Sequence, residues 1–507
     1  MIKKKQINRV IKSLQGVEMA FIDLFCGAGG TSSGIERAYV DTKKVARVVL
    51  CVNHDYLAIQ SHKVNHPHAI HLVEDVRLVK MQILIPLVEE IRRAYPKIKL
   101  CLWASLECTN FSKAKGGQAR DADSRSLAWD LLRYIDCVKP DKIYIENVEE
   151  FMSWGPLDEK GRPVSKNAGE DYTKWKQAVE DCGFVYEHRV INSADLGAFQ
   201  SRIRYFAQFA APGQVIRWPE ATHAKVNKGK LPGGRSPWKP VREVLNLNDH
   251  GKSIFGRPKE LVPATLRRIY AGILKYVVPN NDPFFIKYFG CGENAVSIDT
   301  VAPTLTTKDR LSLVHAQFID KAYSSGGIHQ SIDHPSGSVT TVNKMSLVTC
   351  QSFLINPQWF NKGALSIDKP APTLIARMDK SPLSIATTEI EAAVTISVVY
   401  TIRKRPTPVI KTEKGNLIYV ISIWDDVVMQ NLKLLMACTG IVDIKMRMLE
   451  VDELLRIQGF PEDYVLKGTK TKQKWFIGNA VEVTTAMNII RANSEMIHPV
   501  PQLSAAS

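Results

Sequence analysis

One stretch limits the fold more than any other: residues 19–38, MAFIDLF-CGAGG-TSSGIERA. An apolar run of strand length, a glycine-rich turn and a helix-like segment in succession open a nucleotide-type binding unit. The glycines let a ligand approach the backbone, and the start of a helix offers unpaired N–H groups. The spacing is GAGG rather than GxGxxG, so pyrophosphate is not implied. A ligand carboxylate suits the same groups, and a plain tight turn has the same signature. Further apolar runs follow at Ala46 to Val52, Ala69 to Val73, Ile98 to Trp103, Lys142 to Val148 and Phe184 to Asn192. Helix-like segments such as Leu127 to Val138 separate them. This alternation predicts an α/β fold with a doubly wound sheet, whose ligands sit beyond the carboxyl ends of the strands.

Those strand ends carry the candidate residues. Asn53 and Asp55 follow the second strand, where ribose hydroxyls are often bound, although both residue types are also common helix caps. Asp75 follows the third strand and could read an adenine amino group or simply cap a helix. The fourth leads into SLECTNFS (Ser105 to Ser112), with Cys108 just past its end. A lone cysteine is more often a small buried apolar residue than a nucleophile. Glu146 closes the fifth strand, and a carboxylate there is paired or works. Arg202 and Arg204 alternate on a strand-like segment and so point to one side. The stretch SKAKGGQARDADSRS after the cysteine is polar and aperiodic, long enough for a lid.

Composition narrows the partners. The 507 residues are 45% apolar and carry a net charge of +16. Residues 216–380 hold 22 Lys and Arg against 12 Asp and Glu, a surplus of 10 in that third of the chain. So concentrated a basic region fits nucleic acid. Nine cysteines form no CxxC pair and no metal-ligand spacing, which predicts free thiols, a reducing compartment and no metal. The basic start MIKKKQINRVIKSLQG lacks the apolar core of a signal peptide, and the apolar stretch from Ala392 to Ile402 is too short to span a bilayer. A cytoplasmic protein without membrane contact is the expectation.

Six elements together resemble the DNA (cytosine-5)-methyltransferase family: FIDLFCGAGG, ECTNFS, IENV, QSRIR (Gln200 to Arg204), MRMLEVDELLRIQGFPEDY and KWFIGNAVEV (Lys474 to Val483). They cover roughly residues 18–210 and 440–495 in the family's order. Glu107, Thr109 and Phe199 stand where that family usually has Pro, Gln and Pro. The resemblance implies a Rossmann-like, S-adenosylmethionine-dependent methyltransferase domain with a β-rich inserted target-recognition domain. By resemblance Cys108 is the nucleophile and Glu146 a protonated donor to the cytosine ring. Arg204 holds the base oxygen, and Arg202 helps place phosphate or loop. The resemblance points to Phe25, Gly27, Gly29, Asp75, Leu127 and Asn479 for S-adenosyl-L-methionine, beside the strand-end candidates Asn53 and Asp55, although Asn53 and His54 replace the acid the family has after the second strand. Double-stranded DNA with a flipped base is the implied substrate. A monomer of bacterial or phage origin is implied, with a cognate restriction endonuclease as a further partner. Glu107 beside a thiol would raise its pKa, so its carboxylate is expected to point away. Two alternatives stay open: a catalytically weak DNA-binding relative, which Glu107 and Thr109 favour, and a tRNA cytosine-5 methyltransferase, which the large basic insert disfavours.

The expected domains are a basic N-terminal extension (1–17), the first catalytic part (18–215), an insert (216–440), the second catalytic part (441–495) and a tail (496–507). An internal repeat at 285–385 supports the insert. SIDTVAPTLTTKDRLSLV starts at Ser297, SIDHPSGSVTTVNKMSLV at Ser331 and SIDKPAPTLIARMDKSPL at Ser366. Thr, Val, Ser and Pro dominate it, which predicts short strands and hairpins. Lys308, Arg310, Lys344, Arg377 and Lys380 are candidate DNA contacts. TISVVYTI and LIYVISIWDDVVM read as strands around the turn RKRPTP.

Overall fold

The computed structural model describes residues 2–106, 127–156, 158, 169–226, 230–274, 284–287, 295–303, 305, 311–318, 396–412, 416–439 and 441–497. The chain divides into two compact units, Met1–Asn246 with Ile298–Asp309 and Leu449–Ser507, and Leu247–Ser297 with Arg310–Met448.

The first unit is built on seven strands: β1 (Met19–Leu24), β2 (Ala46–Asn53), β3 (Ile70–Val73), β4 (Lys99–Ser105), β5 (Lys142–Asn147), β6 (Val185–Asn192) and β7 (Ile203–Ala210). Their spatial order is β3-β2-β1-β4-β5-β7-β6. The first five run parallel, while β7 is antiparallel to both β5 and β6. The helices that matter for the site are α1 (Lys4–Ser13), α2 (Gly30–Glu36), α3 (Tyr56–Asn65), α4 (Ile85–Ala94), α5 (Leu131–Val138), α6 (Glu170–Glu180), α7 (Val451–Ile457), α8 (Lys470–Asn479) and α9 (Val483–Ala492).

All six residues of β1 are buried, because both faces of the strand are covered. Ala20, Ile22 and Leu24 join one core, with residues of α1, α4, α5 and α6. Met19 and Phe21 join the other, with Ile35 of α2, Ile59 of α3 and Ala486, Ile489 and Ile490 of α9. The side-chain period of two in a strand thus assigns each residue to one of two helical layers. Trp103 of β4 and Tyr144 of β5 stack in the second layer, centroids 5.5 Å apart. The basic start of the chain is part of this unit, since Ile7, Val10 and Leu14 are buried in the first core.

The bounds of the units differ from those expected of an insert at 216–440. Residues 217–246 stay on the first unit: Arg217 N–H donates to Asn493 Oδ1 at 3.2 Å, Trp238 Nε1 to Asp195 Oδ1 at 2.8 Å and Asn246 N–H to Glu453 Oε1 at 2.8 Å. Ile298–Asp309 also belong there, with Val241 N–H on Thr300 O at 2.7 Å and Ala302 paired to Gln200. Conversely, Ile441–Met448 is a strand between Lys252–Ser253 and Leu311–Phe318 in the second unit's sheet.

The second unit holds that five-stranded sheet, continued by Phe284–Lys287 and Ala295–Ser297, and a three-stranded sheet of Ile396–Thr401, Leu417–Ser422 and Val409–Lys411. It is β-rich but includes helices Pro263–Gly272 and Val427–Thr439. The strand read through LIYVISIWDDVVM therefore stops at Ser422. Asp426 takes the Met429 N–H at 2.8 Å on its carboxylate and the Gln430 N–H on its carbonyl, which starts a helix. Leu432, Leu435 and Met436 of that helix then enter the core with Ile269 and Tyr419. The second and third copies of the repeat lie outside the described residues, as do the five basic residues singled out as DNA contacts.

Candidate active site

The carboxyl ends of β1 to β5 open into one crevice, a cavity of about 370 Å³. Its lining includes Phe25 and Gly27 after β1, Asn53 and Asp55 after β2, Asp75 after β3, Ser105 ending β4 and Glu146 in β5. Leu127, Arg202 and Asn479 complete it. This is where an open α/β sheet places ligands. The glycine turn supplies the floor in a strained conformation. Phe25 has φ 60° and Gly27 φ 52°, and the former is uncommon for a bulky side chain. A Cβ built on Gly27 would meet nothing within 4 Å, so the turn presents bare backbone to open space. Gly29 turns away from the crevice and lies against the Tyr464 hydroxyl, which itself donates to Ala28 O at 2.5 Å.

The far end of the chain closes this turn. An added Cβ on Gly30 would stand 2.5 Å from Val481 O, and one on Gly34 would stand 2.6 Å from Ala486 Cβ. A buried amide chain fixes the return. Gln458 Nε2 donates to Ala480 O at 2.7 Å, and Gln200 Nε2 donates to Gln458 Oε1. The Leu305 N–H donates to Gln200 Oε1 at 3.3 Å. Trp475, Phe476 and Val76 join the crevice beside Asn479 and Asp75. Sequence reasoning missed these three; the aromatic pair inside KWFIGN was the available signal.

Two acidic candidates carry protein partners. Asp55 caps α3 through Ala58 N–H at 3.0 Å and pairs with Lys472 Nζ at 2.6 Å. Burial pushes its carboxyl up, but the Lys472 contact and the backbone donors outweigh it and hold the pKa below the ordinary value. Asp75 forms a two-pronged pair with Arg77, 3.0 Å from Nε and 2.7 Å from Nη2, which lowers its carboxyl. Asn53 Oδ1 accepts the Asp55 N–H at 2.8 Å. These contacts order the strand ends, and a nucleoside ligand would compete for or share them.

The opposite wall is the acidic–basic corner. Glu146 is buried and is the register partner of Ser105 across β4 and β5. Arg204 Nε lies 3.5 Å from Glu146 Oε1. The buried Arg202 extends Nη1 toward Leu305 O and Gly478 O, each at 3.4 Å. Burial raises the Glu146 pKa, and the charges of Arg204 and Arg202 oppose that without reversing it. A neutral carboxyl in such a place is a hydrogen-bond donor. Cys108, Glu107 and Thr109 lie outside the described residues, and with them the expected orientation of the Glu107 carboxylate.

One cluster outside the crevice was not foreseen. Cys51, His62 and His71 converge behind the turn, although no ligand spacing marked them in sequence.

A doubly wound domain with a bare glycine turn, polar strand ends and a buried carboxyl beside two arginines is a Rossmann-like fold with a ligand crevice at its carboxyl edge. The model of the C-5 cytosine-specific DNA methylase family matches residues 19–245 and 370–495. The chain belongs to this family. Type II methyltransferase M.AgeI of Thalassovita gelatinovora is 25% identical over 250 residues, 49% of this chain and 49% of that protein. Type II methyltransferase M1.HphI of Haemophilus parahaemolyticus is 24% identical over 281 residues, 52% of this chain and 69% of that protein. The chain thus spans about half the length of the first of these relatives. A solved structure of a Spodoptera frugiperda DNMT2 mutant aligns with TM-score 0.45 and 12% identity, over 94% of this chain and 99% of that one. Among the described residues no helix is long and apolar enough to cross a membrane.

Proposed function

We propose that the protein transfers a methyl group from S-adenosylmethionine to carbon 5 of cytosine in double-stranded DNA, at a specific sequence, with the base turned out of the duplex. The observation that carries this reading is the buried Glu146 between Arg202 and Arg204, in the crevice that holds the glycine turn. Family membership supports it. The crevice suits the methyl donor in volume and in its mix of apolar and polar lining. Phe25, Gly27, Asn53, Asp55, Asp75, Leu127 and Asn479 would hold it. When bound, S-adenosylmethionine supplies an electrophilic methyl group.

The protein's own groups do the rest. The Cys108 thiolate adds to carbon 6, which breaks the ring's aromaticity and makes carbon 5 an enamine-like nucleophile. Glu146 donates a hydrogen bond to ring N3, where negative charge arrives, and Arg204 holds the O2 oxygen. Carbon 5 takes the methyl, a base removes the proton left on carbon 5, and the thiolate departs. Cys108 lies three positions along the chain from Ser105, a reach of at most about 11 Å. Since Ser105 is in register with Glu146, the thiol can meet the same ring. A flipped base is required because carbon 6 is inaccessible in a stacked duplex.

The second unit, with the basic composition of its stretch of chain, reads the target sequence. A restriction endonuclease of the same specificity is the partner suggested by relatives named as type II methyltransferases. The test is bisulfite sequencing of DNA from cells that express the protein. Protected cytosines should share one short sequence context and vanish with Cys108→Ala. Unprotected DNA together with newly methylated tRNA cytosine would overturn the reading.

A further inference from the structure

A polar row crosses the sheet beneath the cofactor turn. The strand registers align Asp23 of β1 with Cys51 of β2, and Cys51 with His71 of β3. Neighbours in register project on the same face of a sheet. That face is otherwise apolar, lined by Met19, Phe21, Ala46, Val48 and Ala69. The crossover helix α3 lays His62 over the row. His62 Nδ1 is 2.9 Å from His71 Nε2, and His62 Nε2 is 2.9 Å from Ser32 Oγ. Ser32 Oγ donates to Asp23 Oδ2 at 2.6 Å. Cys51 and His62 are fully buried, and His71 partly so. The thiol of Cys51 and one ring nitrogen from each histidine lie within 4.8 Å of one another.

Hydrogen bonding alone accounts for the contact between the two imidazoles. The thiol of Cys51, which also reaches Ser32 and Cys26, converges on the same point, although the imidazole pair does not require it there. Nor does that pair account for Asp23, which is fully buried yet has no partner for Oδ1 among the described residues. The Asp23–Ser32–His62 chain is the arrangement that orients a ligating imidazole: one ring nitrogen faces the ion and the other donates to an oxygen backed by a carboxylate.

We propose that Cys51, His62 and His71 form a zinc site that ties β2, α3 and β3 together behind the cofactor turn. Sulfur and imidazole donors are the set zinc prefers. Binding expels the thiol proton of Cys51 to solvent, so the thiolate takes one position and His62 Nδ1 and His71 Nε2 take two more. The fourth position falls to water. His71 also lines a second cavity of about 240 Å³, beside Gln6, Arg9 and Lys63. Because Cys51 is in register with Asp23, at the end of β1 just before the turn, the ion would brace the floor of the crevice from behind.

The test is the metal content of the full chain, purified without a histidine tag, together with its spectrum after incubation with cobalt(II). One zinc per chain is expected, and cobalt should give a thiolate-to-metal charge-transfer band. His71→Gln, at a partly exposed position where folding is least at risk, should lower zinc content about ten-fold or more. Cys51→Ser should abolish the charge-transfer band. A folded wild-type protein with no zinc and no cobalt band would overturn the site. So would a folded His71→Gln variant with undiminished zinc.

Discussion

Arg204 Nε stands 3.5 Å from Glu146 Oε1, yet the Glu146 carboxyl is held above its ordinary pKa. A guanidinium at that distance favours the carboxylate, and burial favours the acid. Burial prevails because Glu146 is enclosed between β4 and β7, while Arg204 retains some access to water. The shift favours the acid form, which is the form the proposed chemistry uses when a ring nitrogen arrives.

Glu146→Ala should lower kcat by about 10²- to 10⁴-fold, the usual worth of a positioned proton donor. Cofactor affinity should be unchanged. Glu146→Gln keeps an N–H donor and should fall less. Initial rates of labelled methyl transfer measure both. In the proposed mechanism the protonated form is the active one, so the wild-type rate should fall as pH rises through the raised pKa. The Gln variant should lack that limb.

Arg204→Gln removes the main charge that opposes protonation of Glu146. The alkaline limb should then move to higher pH in the same rate measurements, whatever the loss in absolute rate. A limb that stays in place would assign the titration to another group.

Gly34→Ala sets two effects against each other. Helix propensity alone would stabilise α2 by about 1 kcal/mol. The new methyl would stand 2.6 Å from Ala486 Cβ and 2.8 Å from Val483 O, in the contact between α2 and α9. Overpacking of that kind costs about 1–3 kcal/mol. Net destabilisation in urea unfolding is expected, with weaker cofactor binding because Ala480 and Val481, which line the crevice, lead directly into α9.

Glu36 fastens the end of α2 to β2. It accepts Val48 N–H at 2.9 Å, pairs with Lys44 Nζ at 2.7 Å and lies 2.9 Å from His68 Nε2. Burial pushes its carboxyl up, but the His68 and Lys44 contacts outweigh this and lower its pKa to about 2. The folded value is below the unfolded one, so the stabilisation is complete above about pH 4.5 and is lost as pH falls toward 2. Glu36→Gln should cost about 3 kcal/mol at pH 7 and progressively less in acid, read from urea midpoints across that range.

Local signals in the sequence locate the strand–turn–helix opening and the polar strand ends, because a buried parallel strand must be apolar throughout and its ligand side must be polar. The partners of those strand ends are another matter. Asp55 is answered by Lys472, and Gly34 by Ala486, and no local pattern links residues so far apart. The row Asp23–Cys51–His71 exists only through strand register, which depends on how three strands align. The helix Val427–Thr439 was hidden for a different reason: its first residues continue an apolar, β-branched run, and the break is made by the capping carboxylate of Asp426.

The most direct test of the proposed chemistry uses duplex DNA in which 5-fluorocytosine replaces cytosine, incubated with the protein and S-adenosylmethionine. Fluorine cannot leave as a cation, so the thiolate bonded to carbon 6 should be trapped as a complex stable to denaturing electrophoresis. The wild type should form it on a duplex that contains the recognition sequence. Cys108→Ala should not, while still binding the cofactor. An adduct that persists in Cys108→Ala, or one that forms on tRNA and on no duplex, would contradict the proposal.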